Sequence, residues 1–197
     1  NELLALLRTA KAEGWSKQDF LEKASQIGGV YVPSFYKPVY NDDCTINHFD
    51  VHPGAPEKVT KRIIADMNSV HFPLSPIVPS TEVVHDRVNL ELFRGCVRGC
   101  RFCQAGHVYR PIRAKSPELL AEQGKVLLKN TGCQDITLLS LSSSDYRCLS
   151  ELCDELLGYC EPRSIGLSLP SLRADNFSMD IMHRIQKTRK SGLTFAP

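Results

Sequence analysis

Apolar and polar positions follow two different regimes along this chain, and the change falls near residue 87. In the first part, Leu3, Leu4, Leu7 and Ala10 recur at helical spacing. That spacing predicts a helix over residues 2–12, ended by Gly14. Ser16 with Asp19 three residues on is an N-terminal signature for a second helix to about Gln26, stopped by Gly28 and Gly29. The charges between the apolar positions are read as solvated faces. Residues 30–40 are rich in aromatic and β-branched side chains but contain Pro33 and Pro38, which allows an edge strand or extended segment at most. Residues 41–56 read as a loop and residues 58–67 as a short strand, whose core of Ile63, Ile64 and Ala65 is also compatible with a helix start. Residues 72–80 carry three prolines and are expected to run extended, close to polyproline geometry. The boundary is placed after them, which leaves residues 1–86 as a linker or accessory region and residues 87–197 as the second part.

From Arg87 onward strands and helices alternate. Val88, Leu90 and Leu92 form the first strand pattern. Ser116-Pro117-Glu118 supplies a capping hydroxyl, a proline at the first helical position and then an acid, so a helix is predicted to about Asn130, stopping near Gly132. Residues 135–141 are a near-continuous apolar run, as in a strand buried on both faces. Leu149, Leu152, Cys153, Leu156 and Leu157 share one helical face, and Ile165, Leu167 and Leu169 alternate as the next strand. Ile181, Met182 and Ile185 mark a third helix, ended by Gly192, and residues 193–196 begin a fourth strand. After the first strand the spacing is close to one βα repeat of roughly 30 residues. The expected class is α/β with parallel strands, and in such folds active sites lie at the C-terminal ends of strands. Three polar clusters share that edge. They are the cysteine-bearing segment after the first strand, Ser140, Ser142, Ser143, Ser144 and Asp145 after the second, and Ser171, Arg173 and Asp175 after the third.

Composition narrows the setting. With 197 residues and a formal net charge of +2, the chain suits one domain, or one with a smaller companion, and its near-balanced charge says nothing about partners. No apolar run approaches the ~20 residues of a membrane helix, and no membrane association is expected. The first residue is Asn1 and the last is Pro197, with no signal peptide, so the chain is read as an internal piece of a longer protein. Eight cysteines would suggest a disulfide framework in a secreted protein. Nothing signals secretion, and reduced thiols in a cytoplasmic setting are expected instead.

The chemistry concentrates in residues 91–113, ELFRGCVRGCRFCQAGHVYRPIR, where Cys96, Cys100 and Cys103 stand in the spacing C-x3-C-x2-C. Thiolates are soft ligands that suit zinc or iron–sulfur clusters. Structural zinc wants four ligands, and the fourth would come from His107 or a distant cysteine. A ferredoxin-like electron carrier needs a fourth cysteine at a regular place, and none occurs between Cys103 and Cys133. Three cysteines on the catalytic rim of a βα fold favour an open-site [4Fe–4S] cluster that binds a small molecule. Arg94, Arg98, Arg101, Arg110 and Arg113 crowd the same segment. They suit support of an anionic cluster better than nucleic acid, because no aromatic stacking pattern accompanies them, although nucleic-acid binding is left open. Cys133, Cys148, Cys153 and Cys160 are expected to pack as small apolar residues.

The cysteine motif with Phe102 just before its last cysteine resembles the radical S-adenosylmethionine (SAM) superfamily. The resemblance extends through VVHDRVNLELFRGCVRGCRFCQAGHVYRPIR, the serines and acid of 142–145, SLPSLRAD at 168–175 and GLTFAP at 192–197. Together with GGVYVPSFY at 28–36, these are similar to a subgroup of radical SAM proteins with an N-terminal B12-binding domain. That resemblance implies a partial TIM-like βα barrel, truncated after its fourth strand, preceded by a helical and extended linker. It implies an enzyme in which Cys96, Cys100 and Cys103 ligate a [4Fe–4S] cluster whose open iron holds SAM for reductive cleavage to a 5′-deoxyadenosyl radical. Phe102 would lie near the adenine, Ser142, Ser143 and Asp145 near the SAM amino group, and Arg173 near its carboxylate. An electron donor such as flavodoxin or ferredoxin is implied, and cobalamin on a domain outside this chain. Gly95 and Gly99 are expected to let the loop backbone turn tightly. Asp50-Val51-His52-Pro53-Gly54 is similar to a cobalamin-binding signature but has its glycine one place early, and is read as a turn. The alternative from a different class is a noncatalytic zinc or iron–sulfur module that holds the fold or docks a nucleic acid.

Overall fold

The computed structural model describes residues 1–176, 178–188 and 195–196. The chain divides into two compact units, Asn1–Ile63 and Ile64–Pro197.

The first unit opens with α1 (Glu2–Glu13), closed by Gly14 in the left-handed conformation. It continues with α2 (Lys17–Ser25), where Ser16 and Asp19 form a reciprocal capping box. Both helices follow their sequence signals. The strand expected in residues 30–40 forms as β1 (Tyr36–Tyr40) after a short 3-10 turn at Pro33–Phe35. Its partner was not expected. Residues 46–51, read as loop, form β2 (Ile46–Val51), antiparallel to β1. All but Val51 of that strand is exposed, so no apolar alternation marks it in the sequence and backbone pairing alone makes it a strand. Residues 52–55 are a turn, with the Ala55 amide donating to the His52 carbonyl at 3.0 Å, in keeping with the turn reading. The short strand expected in residues 58–67 does not form, and among the described residues nothing pairs with this segment as a strand. Val32, Phe35 and Tyr36 make the small core of this unit.

The second unit is a mixed α/β fold with a small parallel sheet. Its strands are β3 (Val88–Glu91), β6 (Asp135–Leu139) and β7 (Gly166–Ser168), ordered β3-β6-β7. Between them lie α4 (Pro117–Thr131), capped by Ser116 and closed by left-handed Gly132, and α5 (Leu149–Cys160). Leu90, Ile136, Leu138 and Leu167 from the sheet bury against Leu120, Leu152 and Leu156 from the helices. Gly124 permits the close approach of α4. A Cβ there would stand 3.0–3.1 Å from the tips of Leu90, Ile136 and Leu156. After β3 the chain forms β4 (Phe93–Arg94), paired antiparallel with β5 (Arg113–Ala114), and this narrow ribbon carries the cysteine loop with α3 (Ala105–Val108) inside it.

The third helix forms as α6 (Met179–Thr188). The fourth strand differs from expectation. β9 (Phe195–Ala196) pairs in parallel with β8 (Leu172–Arg173) as a separate ladder rather than extending the three-stranded sheet. Gly192 as helix terminator, the start of the fourth strand at residues 193–194, and Pro197 lie outside the described residues. Residues 72–80 form no helix or strand, and Phe72 packs against the core. Among the described residues no helix is long and apolar enough to cross a membrane.

Candidate functional site

Parallel pairing of β3, β6 and β7 sends the three segments that follow them to one edge of the sheet. Those segments are stitched to one another. The Ser143 amide donates to the Ser171 carbonyl at 3.1 Å, and the Arg173 amide to Ser144 Oγ at 3.2 Å. Asn176 Nδ2 donates to the Ser144 carbonyl at 2.9 Å and to Asp145 Oδ1 at 3.2 Å. The ribbon that carries the cysteines is fixed from both sides. The Lys115 amide donates to the Leu92 carbonyl, and the Tyr146 hydroxyl donates to the Lys115 carbonyl at 2.8 Å.

The cysteine loop folds back tightly on the chain that follows it. Gly95 has φ of +99°, and a Cβ there would stand 2.7 Å from the Pro111 carbonyl oxygen and 2.8 Å from that of Tyr109. Gly99, expected to serve the same turn, has no positive φ and no atom within 4 Å of a Cβ position. The second tight contact is at Gly106, where a Cβ would meet the Arg98 carbonyl oxygen at 2.8 Å. The sequence points to Gly95 and Gly99, and of these Gly95 makes the tight turn. The other close approach is made by Gly106, after the last cysteine, rather than by Gly99. Inside the loop the Arg98 amide donates to Cys96 Sγ at 3.4 Å and the Cys103 amide to the Cys100 carbonyl at 3.0 Å.

The arginines of the segment have different roles. Arg94 pairs with Glu91 at 2.7 Å, and Arg113 donates to the carbonyls of Pro111, Tyr109 and Ile64. Arg110 donates to three successive carbonyls, those of Cys96, Val97 and Arg98, at 3.4, 3.3 and 3.1 Å. Arg98 reaches across to Asp145 with two hydrogen bonds of 2.9 and 2.5 Å, and to Asp175 at 3.4 Å. Arg101 is exposed. Arg98 is therefore the link between the cysteine loop and both neighbouring segments. A cluster of arginines is visible in the sequence, but pairing across so long a separation is not.

The candidate cofactor residues gather at this edge, and most are already engaged. Asp145 has its carboxyl held down to about 2, first by Arg98 and then by Ser142 and Asn176, against an opposing effect of burial. Ser142 donates to Asp145 Oδ2 at 2.8 Å, and Ser143 is fully buried, with its hydroxyl against the Leu138 carbonyl and Ser140 Oγ. Arg173 forks onto Asp175 at 2.9 and 3.0 Å, which raises its pKa, and Cys100 makes a smaller contribution in the same direction. Phe102 stands apart, 93% exposed at the tip of the loop. His107 is also exposed, on α3.

All eight cysteines are free thiols. Cys96, Cys100 and Cys103 are half-buried on one loop, a donor set whose softness suits a thiolate-bound iron centre. Among the described residues no group of three or more His, Cys, Asp or Glu side chains is gathered to hold a metal ion. The loop thus brings the donors into one segment without closing them into a cage. Cys153 and Cys160 are buried in the core, where burial pushes their thiols up to about 12 and about 11. Cys133 and Cys148 pack at its margin, as small apolar residues would. In the first unit, Asp50 pairs with His48 at 3.3 Å and the His52 ring stacks on Phe35 with centroids 4.5 Å apart.

No family model matches the chain. It is similar to an uncharacterized protein of Methanocaldococcus jannaschii, 37% identical over 111 residues. The aligned stretch is 55% of this chain and 23% of that relative, so the chain spans about a quarter of the relative's length.

Proposed function

We propose that this chain belongs to a radical SAM enzyme and carries the loop that binds its [4Fe–4S] cluster through Cys96, Cys100 and Cys103. The observation that carries the reading is the position of the loop. Three free, half-buried thiols at C-x3-C-x2-C spacing leave the C-terminal end of a parallel strand and are braced to the segments after the next two strands. When bound there, such a cluster with one open iron supplies an electron and a coordination site for cleavage of SAM. The remaining roles fall to the chain. Cys96, Cys100 and Cys103, as thiolates, would hold the iron. Phe102, exposed beside the last cysteine, offers an aromatic face to adenine. Arg173, a cation at the same edge whose fork is held by Asp175, suits a carboxylate of a ligand bound beside the loop. Asp145 and Ser142 bind one another and Arg98, so their part is to hold the edge in shape.

We further infer that the parallel strands belong to a TIM-like barrel. The proposed setting is reduced and cytoplasmic, with flavodoxin or ferredoxin as electron donor and cobalamin on another part of the protein. The cobalamin link rests on the sequence resemblance. The test is anaerobic reconstitution with iron and sulfide, followed by EPR of the reduced protein with and without SAM. A [4Fe–4S]⁺ signal that changes on adding SAM and disappears in Cys100→Ala is the expected result. Stoichiometric zinc without a cluster, or a cluster indifferent to SAM, would replace the enzyme by a structural metal module.

A further inference from the structure

We propose that Arg110 is a positioning residue for the cysteine loop, because it holds the carbonyls of Cys96, Val97 and Arg98 on one side and so turns the intervening amides toward the sulfur side. A guanidinium offers its donors in a planar fork, and here that fork spans three consecutive peptides. In a trans peptide the C=O and N–H point in opposite directions. Fixing the Val97 carbonyl on Arg110 therefore fixes the Arg98 amide on the other side, and that amide points at Cys96 Sγ at 3.4 Å. Hydrogen bonds to a ligating sulfur tune its basicity and the potential of the cluster it holds. The loop has two further supports. Gly95 and Gly106 let it lie against the 109–112 turn and α3, and Arg98 ties its middle to Asp145. Arg110 differs from these two supports in acting on the direction of the peptides. The purpose of this device rests on the reading of the three thiols as metal ligands, but its geometry does not.

The test begins with the reduced, metal-free chain. Iodoacetamide labelling is followed cysteine by cysteine with peptide mass spectrometry. Cys44, exposed in the other unit, serves as the fast reference and core Cys153 as the slow one. In Arg110→Gln, labelling of Cys96 relative to Cys44 is expected to fall by about two- to threefold, because the sulfur loses a donor that favours the reactive thiolate. Amide exchange at Arg98 should quicken, with Cys153 still protected. Arg110→Lys keeps the charge but not the fork and should behave like the glutamine variant. Unchanged Cys96 labelling and Arg98 exchange in Arg110→Gln, or full restoration by lysine, would overturn the proposal. So would faster labelling of Cys153, which would make Arg110 a general support of the fold. Reconstitution with iron and sulfide then separates the two ideas. A wild-type chain that takes up no cluster while its loop loosens in Arg110→Gln removes the proposed function and leaves the positioning role. A cluster of unchanged potential in Arg110→Gln counts against the positioning role alone.

Discussion

Arg98 and Asp145 join two separate segments of the sheet edge through a two-pronged ion pair, with hydrogen bonds of 2.9 and 2.5 Å, and the Asp145 side chain is only 8% exposed. The carboxyl is held at about 2 against an ordinary 3.8, so its ionised form is favoured by folding. A depressed acid contributes stability that is full above 3.8 and is lost as pH falls through about 2. Asp145→Asn should therefore cost about 2 kcal/mol at neutral pH. The gap between wild type and variant should narrow as the solution is acidified from about pH 4 toward pH 2. Urea midpoints at several pH values read this directly, and a gap that widens on acidification would refute the assignment.

Glycines 95 and 106 make a second prediction. Alanine at 95 combines a strained positive φ with overlap onto two backbone carbonyls, which cannot swing aside as a side-chain tip does. Gly95→Ala is expected to lower stability by about 2 kcal/mol or more, and Gly106→Ala by a similar amount. Gly99→Ala should be nearly silent, because its Cβ meets nothing. Thermal melts of the three variants rank them.

Phe102 separates folding from binding. A side chain 93% exposed contributes little to the core, so Phe102→Ala should leave stability within about 0.5 kcal/mol of wild type. If the ring stacks on the adenine of SAM, the same change should weaken SAM binding to the reconstituted protein roughly tenfold, as loss of an aromatic contact of about 1–1.5 kcal/mol would. Isothermal titration with SAM measures the second effect, and denaturation the first. Equal affinity in both proteins would remove Phe102 from the site.

The cysteines divide by reactivity. Thiols pushed up to about 12 and about 11 stay protonated at neutral pH, so Cys153 and Cys160 should resist alkylation in the native protein. Cys44 should label first. Guanidinium should erase the difference. Early labelling of Cys153 without denaturant would show that α5 opens locally.

The sequence made the helices legible because their ends are written in local chemistry. Ser16 with Asp19, Ser116 with Pro117, Gly14 and Gly132 each act within one turn. The parallel strands were legible because Leu90, Ile136, Leu138 and Leu167 are buried and apolar. β2 was not, because its residues face solvent and its register comes from pairing with β1. Residues 58–67 had strand-forming side chains but no partner strand among the described residues. At the site, the three cysteines and the polar edge residues were visible as types and spacings. What the sequence hid was which of them spend their hydrogen bonds on one another. That Asp145 is bound by Arg98, far away in the chain, is not readable from types and spacings.

The tight fold-back of the cysteine loop also bears on how this segment can drift over evolutionary time. Because alanine at 95 or 106 would drive a methyl group into backbone, those positions have almost no neutral substitutions open to them, while position 99 between the cysteines is free to wander. Descendants of a common ancestor should therefore keep glycine at 95 and 106 as faithfully as the thiols, and vary at 99. A search pattern that includes the two outer glycines would then separate true relatives of this chain from chance C-x3-C-x2-C matches better than the cysteine spacing does.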